Sequence, residues 1–425
     1  MPQPHPWKKC LENAVLSDLG LRRANNQDSF TVFLAGNQQD FIQRGHLFMV
    51  ADGMGAHAAG ELASKIATDV VPLTYQKLRD KSPPDALLAA VLDANNQIYT
   101  RGQASPEFKG MGTTSTVLVL LPQGALLAHV GDSRAYRVQG QKIDQLTFDH
   151  SLVWELQATG QKYEEPISNF IGKNIITRSL GPNPNVQVDL EGPHPWQAGD
   201  TFLLCSDGLT GQVQDAEIGA VRVCLPPAEA VQALVDLANL RGGPDNITVI
   251  CVRVLDRQIA QDAAGRPASA ADNQNLRRVH PLTWAIFGIT SLAALGLWAI
   301  GQWIPAFFSL LVAVLSGITA LVQRSGGADK APAFDGRHFG RGPYVSCDCA
   351  PDEKFIVKLI EIINQLRDAA VGENWKIDWD RFNQFLTSAN DARNSADYVA
   401  SAREYLRAIS FMMAELKHQH PHGDS

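Results

Sequence analysis

Three apolar runs in this chain end abruptly on an acid. Phe48-Met49-Val50-Ala51 gives way to Asp52-Gly53, Ala125-Leu126-Leu127-Ala128-His129-Val130-Gly131 to Asp132, and Phe202-Leu203-Leu204-Cys205-Ser206 to Asp207-Gly208. A fourth acid, Asp245, stands just ahead of a fourth run, Ile247-Thr248-Val249-Ile250-Cys251-Val252. Short unbroken apolar runs bounded by turn residues read as buried strands. Strands of this kind set their terminal side chains along one rim of a sheet, so the fold must gather carboxylates there. Crowded carboxylates repel and lose hydration unless a cation neutralises them. An all-oxygen donor set suits hard ions such as Mg²⁺ or Mn²⁺ rather than zinc. Gly53 lets the backbone approach closely, so its carbonyl can join the set. A single Asp-Gly is ordinarily a turn; the recurrence carries the reading.

The rest of the chain sets the context for that rim. At 425 residues it exceeds one ordinary domain. A net charge of −7 with no basic stripe argues against nucleic acid as the main partner. Six scattered cysteines suit a reducing compartment rather than a disulfide framework. Residues 1–13 read as a loose lead-in, and 14–20, 29–34 and 47–51 as strands. Leu62, Ile66, Val70 and Leu73 recur at helical spacing, which predicts a helix from His57 to about Leu78. Pro83-Pro84 starts a second helix, reaching about residue 99. Residues 114–121 and 125–130 form a hairpin around Pro122-Gln123-Gly124. Residues 147–181 read as an irregular flap with a helical piece near 152–158. Strands at 201–205 and 247–254 enclose a helix at 227–240. Strand clusters without regular βαβ alternation make 14–255 one α+β domain.

Beyond it, 256–280 reads as a linker. No charged residue occurs between Pro281 and Gln323. A bilayer core of roughly 30 Å needs about 20 helical residues, so 281–323 is expected to form two transmembrane helices broken between Gln302 and Pro305. A single tilted span or an apolar core helix pair is the alternative. Arg277 and Arg278 before the pair, with Arg324 and Lys330 after it, place both flanks in the cytoplasm, as for a multi-pass inner-membrane protein. Residues 324–351 read as a second linker and 352–418 as a C-terminal helical domain. There Tyr398, Ala402, Tyr405, Ile409, Met412 and Leu416 form a seam for the domain's own packing or for an unidentified protein partner. Cys347, Cys349 and His338 are too few to close a zinc site.

The acid rim has an arginine for company. Arg23 lies close to Asp28 in a charged turn, and a guanidinium fork matches phosphate oxygens. Two cations with an arginine would receive a phosphate ester, and a metal-bridging hydroxide would attack phosphorus in line. The stretch Ser17-Asp18-Leu19-Gly20-Leu21-Arg22-Arg23-Ala24-Asn25-Asn26-Gln27-Asp28 resembles the opening motif of the metal-dependent type 2C serine/threonine protein phosphatases. Val50-Ala51-Asp52-Gly53-Met54-Gly55, Gly110-Met111-Gly112-Thr113-Thr114, Val130-Gly131-Asp132-Ser133-Arg134, Cys205-Ser206-Asp207-Gly208 and Gly243-Pro244-Asp245-Asn246 continue the resemblance in order, over about 14–255.

The resemblance implies an αββα sandwich, two antiparallel sheets flanked by helices, with a two-metal centre at one edge. It implies that Asp52 bridges two Mg²⁺ or Mn²⁺ ions, that Gly53 ligates through its carbonyl, and that Asp207 and Asp245 complete one ion's shell. Asp132 would hold a third, weaker ion, Asp28 a metal-bound water, and Arg23 the substrate phosphate. Gln27 stands where a glutamate is commoner. Met54 replaces a histidine discussed as a general acid in eukaryotic members, which leaves the proton donor open. The expectation is a membrane-anchored phosphatase acting on phosphoproteins made by a serine/threonine kinase. The alternative is a catalytically inactive relative that tethers partners at a membrane.

Overall fold

The computed structural model describes residues 10–55, 58–158, 175–255, 281–325, 334 and 336–419. They belong to two compact units, 1–260 together with 334–425, and 261–333. The strands are β1 (Leu11–Asp18), β2 (Asp28–Phe33), β3 (His46–Met54), β4 (Gly112–Thr113), β5 (Ser115–Leu121), β6 (Gly124–Val130), β7 (Arg134–Gln139), β8 (Lys142–Gln145), β9 (Asp189–His194), β10 (Thr201–Cys205), β11 (Ile247–Val254) and β12 (Val345–Asp348). The helices are α1 (Gln38–Arg44), α2 (Ala59–Lys77), α3 (Pro83–Ala104), α4 (Leu152–Ala158), α5 (Asp207–Thr210), α6 (Asp215–Cys224), α7 (Pro227–Leu240), α8 (Pro281–Ala299), α9 (Trp303–Ser325), α10 (Glu353–Gly372), α11 (Trp379–Asn394) and α12 (Tyr398–Gln419).

The larger unit stacks two antiparallel sheets, one in the order β1-β11-β10-β7-β8-β12 and the other β2-β3-β5-β6-β9, with β4 on the end of β3. Period-2 alternation explains the unbroken apolar runs. Along β3, Phe48 and Val50 meet Phe202, Leu204, Ile250 and Val252 between the sheets. Leu47, Met49 and Ala51 face outward onto α2 and α3. Both faces of the strand are covered, so neither tolerates polar residues. Ala59, Ala63, Ala67 and Val71 form the buried stripe of α2. The outer face of the β1-β11-β10-β7-β8-β12 sheet is covered by α6 and α7. This is the expected αββα sandwich.

Several features of this unit were not read from the sequence. Strand β1 starts at Leu11, inside the stretch read as a lead-in. Strand β9 and helices α1 and α6 are further additions. Strand β12 forms in a Gly- and Pro-rich stretch because β8 offers it a free edge. The C-terminal helices join the outer layer of the β1-β11-β10-β7-β8-β12 sheet. Ala402, Tyr405, Ile409 and Met412 are buried in one continuous apolar cluster with Ala220, Val221, Ala230 and Leu234. Arg403 donates to the Cys224 carbonyl at 2.9 Å, Arg407 pairs with Glu229 at 2.7 Å, and Lys417 reaches Asp18 at 3.1 Å.

The smaller unit is a helix pair, α8 and α9, with Ala294, Ala306 and Ala313 buried and Gly317 close to the Phe287 ring. Among the described residues no helix is long and apolar enough to cross a membrane. The expected transmembrane hairpin is therefore withdrawn. With it go the membrane-anchored function, the membrane as partner and the multi-pass inner-membrane localisation. Residues 256–280, read as a linker, and His57 lie outside the described residues.

Candidate active site

The acids converge because of strand register. Asp28 opens β2 and Asp52 lies two residues before the end of β3, and the two are direct partners across the antiparallel pair. Asp132 follows the end of β6, Asp207 follows β10, and Asp245 precedes β11. Strands of both sheets thus deliver acids to one edge of the sandwich, where Asp52 feels Asp28, Asp207, Asp132 and Asp245. Close backbone crossings make the edge compact. A Cβ on Gly53 would meet the Gly60 carbonyl oxygen at 2.1 Å, and one on Gly208 the Asn246 carbonyl oxygen at 2.0 Å. Gly53 is therefore required where the start of α2 crosses β3, whatever its carbonyl does.

Hydrogen bonds hold the acids in place. The Ser206 hydroxyl donates to Asp28 Oδ2 at 2.7 Å and accepts the Thr248 N–H at 2.9 Å. Thr114 Oγ1 accepts the Asp52 N–H at 2.9 Å, and Thr113 Oγ1 donates to the Asp52 carbonyl at 2.9 Å. Arg23 Nη2 donates to Asp245 Oδ2 at 2.7 Å while the arginine side chain stays 46% exposed, so its outer N–H groups face solvent. Gln27 Nε2 points at the Gly55 carbonyl, at 3.5 Å.

Electrostatically the rim is unfavourable as it stands. Burial pushes the Asp28 pKa up to about 7, with Asp207 and Asp245 adding to it. Burial pushes Asp52 well above the carboxylate range, and its four acidic neighbours push further. Asp132 and Asp207 are raised by burial and then by neighbouring acids, against the pull of Arg134 and Arg23 respectively. Asp28 Oδ1, Asp132 Oδ1 and Asp207 Oδ1 are buried without a hydrogen-bond partner. Buried carboxylate oxygens are rarely left so, and three on one rim fit a donor set meant for cations. Among the described residues no three acids, histidines or cysteines are already drawn together tightly enough to hold a metal ion.

A cleft of about 500 Å³ opens beside the rim, lined by Arg23, Asp132, Asp207 and Asp245 together with Arg134, Asp149 and Trp154. Arg134 grips Asp149 through Nε and Nη2 at 2.7–3.0 Å and reaches Asp215 at 3.2 Å. Its guanidinium lies over the Trp154 ring, 5.6 Å from the centroid. Sequence reasoning missed Asn246 as a site residue. Its Oδ1 accepts the Gln27 N–H at 2.8 Å, and its Nδ2 donates to the carbonyls of Leu19 and Asn25 at 2.9 and 3.1 Å. One amide thereby fixes the loop that carries Arg23. An amide next to Asp245 ahead of a buried strand was the only signal for it. Cys205 is buried in β10, and burial pushes its thiol far above the usual range, so it is a core residue.

Residues 22–239 match the family model described as Protein phosphatase 2C. A putative protein phosphatase 2C-type of Streptococcus pyogenes is 40% identical over 247 residues, 56% of this chain and 96% of that protein. A serine/threonine phosphatase of Listeria innocua is 36% identical over 258 residues, 60% of this chain and 98% of its own length. Among solved structures, the serine/threonine phosphatase of S. agalactiae superposes with a TM-score of 0.51 at 37% identity, covering 57% of this chain and 99% of that one. The Mycobacterium tuberculosis serine/threonine phosphatase PstP/Ppp gives 0.50 at 35% identity, with 58% and 99% covered.

Proposed function

The chain belongs to the protein phosphatase 2C family, and from that premise we propose how its own residues carry out the reaction. It is a protein serine/threonine phosphatase that uses divalent metal and acts on phosphoproteins. We assign catalysis to residues 14–255. In this reading Asp52, the Gly53 carbonyl, Asp207 and Asp245 hold two Mg²⁺ or Mn²⁺ ions, and Asp132 contributes to a third, weaker site. When bound, the ions supply an activated water and absorb charge at phosphorus. The observation that carries the reading is the set of three buried, unpartnered carboxylate oxygens from Asp28, Asp132 and Asp207 on one rim.

The chain's other groups have separate duties. Arg23, held against Asp245 and aimed by the Asn246 clamp, offers its outer N–H groups to the phosphate oxygens. Asp28, oriented by Ser206, accepts from water at the rim. Protein chains phosphorylated by a serine/threonine kinase are the substrates. Phosphate release from p-nitrophenyl phosphate and from a phosphothreonine peptide by the full-length protein tests the proposal. Activity should require millimolar Mn²⁺ or Mg²⁺ and should fall at least ~10²-fold in Asp207→Asn. A folded full-length protein inert on both substrates, or an Asp207→Asn variant with unchanged rate, would refute it.

A further inference from the structure

Residues 339–348 lie outside residues 22–239, the span that the family model matches. This strap is nonetheless built firmly into the sandwich. Strand β12 extends the sheet beyond β8, and the Tyr344 N–H donates to the Gln145 carbonyl at 2.9 Å. Phe339 and Gly192 exchange backbone hydrogen bonds at 2.7 and 3.0 Å. The buried Glu191 carboxylate accepts the Tyr344 hydroxyl, the Gly342 N–H at 3.0 Å and the Arg341 N–H at 3.4 Å. The contact is too close for a side chain at residue 340: a Cβ on Gly340, at a φ of +71°, would meet that carboxylate at 1.8 Å.

What the strap supports is the part of the cleft lined by Arg134, Asp149 and Trp154. The Tyr344 ring stands edge-on to Phe148, with centroids 5.5 Å apart. Phe148 stands edge-on to Trp154 at 5.4 Å. Trp154 lines the cleft beneath the Arg134 guanidinium, and Arg134 holds Asp149 on the same wall. Gln145, the residue paired with Val345 of the strap, donates to Asp149 Oδ1 at 2.9 Å. One continuous chain of contacts thus runs from Tyr344 to the cleft lining at Trp154, Arg134 and Asp149. None of these ring contacts or hydrogen bonds includes an acid of the rim, although the charges of Arg134 and Asp149 act on Asp132.

We propose that Tyr344 is a positioning residue for substrate recognition: through Phe148 it fixes Trp154 and the wall against which the polypeptide around the phosphorylated residue lies. The proposal rests on the phosphatase reading and concerns the phosphoprotein rather than the phosphate. Removing the ring should therefore weaken binding of a peptide substrate and spare a small ester that engages only the rim. An aromatic pair of this geometry corresponds to a change of between about threefold and tenfold.

The test is steady-state kinetics of full-length wild type, Tyr344→Ala, Tyr344→Phe and Trp154→Ala with Mn²⁺, on a phosphothreonine peptide and on p-nitrophenyl phosphate. Tyr344→Ala should raise KM for the peptide within that range, with kcat for both substrates and KM for the small ester within about twofold of wild type. Tyr344→Phe, which keeps the ring, should restore the peptide KM. Trp154→Ala should reproduce the rise, and adding Tyr344→Ala to it should change nothing more, because both act through one wall. If Tyr344→Ala melts below the assay temperature, Tyr344→Leu keeps the apolar volume and carries the same expectation. A peptide KM unmoved by loss of the ring overturns the proposal, as do parallel losses on both substrates or full additivity with Trp154→Ala. Wild type inert on both substrates would instead sink the phosphatase reading on which the proposal stands.

Discussion

Replacing Asp28 with asparagine should stabilise the metal-free protein and weaken the metal-loaded one. Asp28 is only 8% exposed, faces Asp52 in register, and has one oxygen without a partner. Burial, reinforced by Asp207 and Asp245, moves its pKa from 3.8 to about 7. The folded state therefore holds this proton more tightly than the unfolded chain does. Its contribution to stability falls as pH rises from 3.8, and the penalty is complete above about 7. At about 1.4 kcal/mol per decade of proton affinity, roughly three decades amount to ~4 kcal/mol. Because the acids titrate together, one substitution should recover about 1–3 kcal/mol of it.

Asparagine matches the carboxylate in shape, still accepts the Ser206 hydroxyl, and can donate into the acid cluster. Urea unfolding of EDTA-treated wild type and Asp28→Asn at pH 5 and pH 8 measures the effect. The variant should be the more stable, by a clearly larger margin at pH 8. With millimolar Mn²⁺ the advantage should shrink or reverse, since the wild-type cluster is then neutralised. A metal-free variant no more stable than wild type at pH 8, or equally stabilised at both pH values, would refute the reasoning.

Two further outcomes follow from the same packing and charges. Gly208→Ala drives a methyl into the Asn246 carbonyl oxygen, which a Cβ would meet at 2.0 Å. It should cost about 1–3 kcal/mol and abolish Mn²⁺-dependent turnover, and a variant with wild-type melting temperature and rate would contradict that close crossing. His129 is fully buried with Nε2 against the Phe148 carbonyl, and burial, then its neighbour His150, push its pKa down to about 3. The unfolded chain takes up a proton near pH 6.5 that the folded state refuses, so this contribution is present above 6.5 and is lost as pH falls toward 3. The stability advantage of wild type over His129→Gln should accordingly shrink between pH 6.5 and 4, by up to about 1.4 kcal/mol per pH unit. An advantage that does not change with pH would mean that His129 accepts its proton in the folded state.

The acid rim was legible in the sequence because strand burial leaves a direct trace. A strand covered on both faces must be apolar throughout, so Asp52, Asp132, Asp207 and Asp245 stand out at the points where coverage stops. Helices α2, α3 and α7 were legible through their periodicity and proline starts. Asn246 was not, since its work is a set of hydrogen bonds to Leu19, Asn25 and Gln27, more than 200 positions away. Residues 281–323 show the opposite failure. The lack of charge is real, but charge alone does not set the length of an uninterrupted apolar helix, and no helix among the described residues meets what a membrane requires.

The seam of α12 marks the same divide. Its spacing announced a helical face that packs, as expected, on α10 and α11, while its further neighbours α6 and α7 are ones that local pattern cannot name. Tyr344 had no local signal at all, being one tyrosine in a stretch rich in glycine and proline. By itself, the sequence determined which residues must be buried and which acids must gather, because hydrophobic period and like-charge repulsion are properties of short stretches. Only the tertiary structure decided which surfaces those stretches bury. That choice depends on long-range register: the pairing of β12 with β8 and the hold of Glu191 on the strap bring Tyr344 to Phe148 and the cleft.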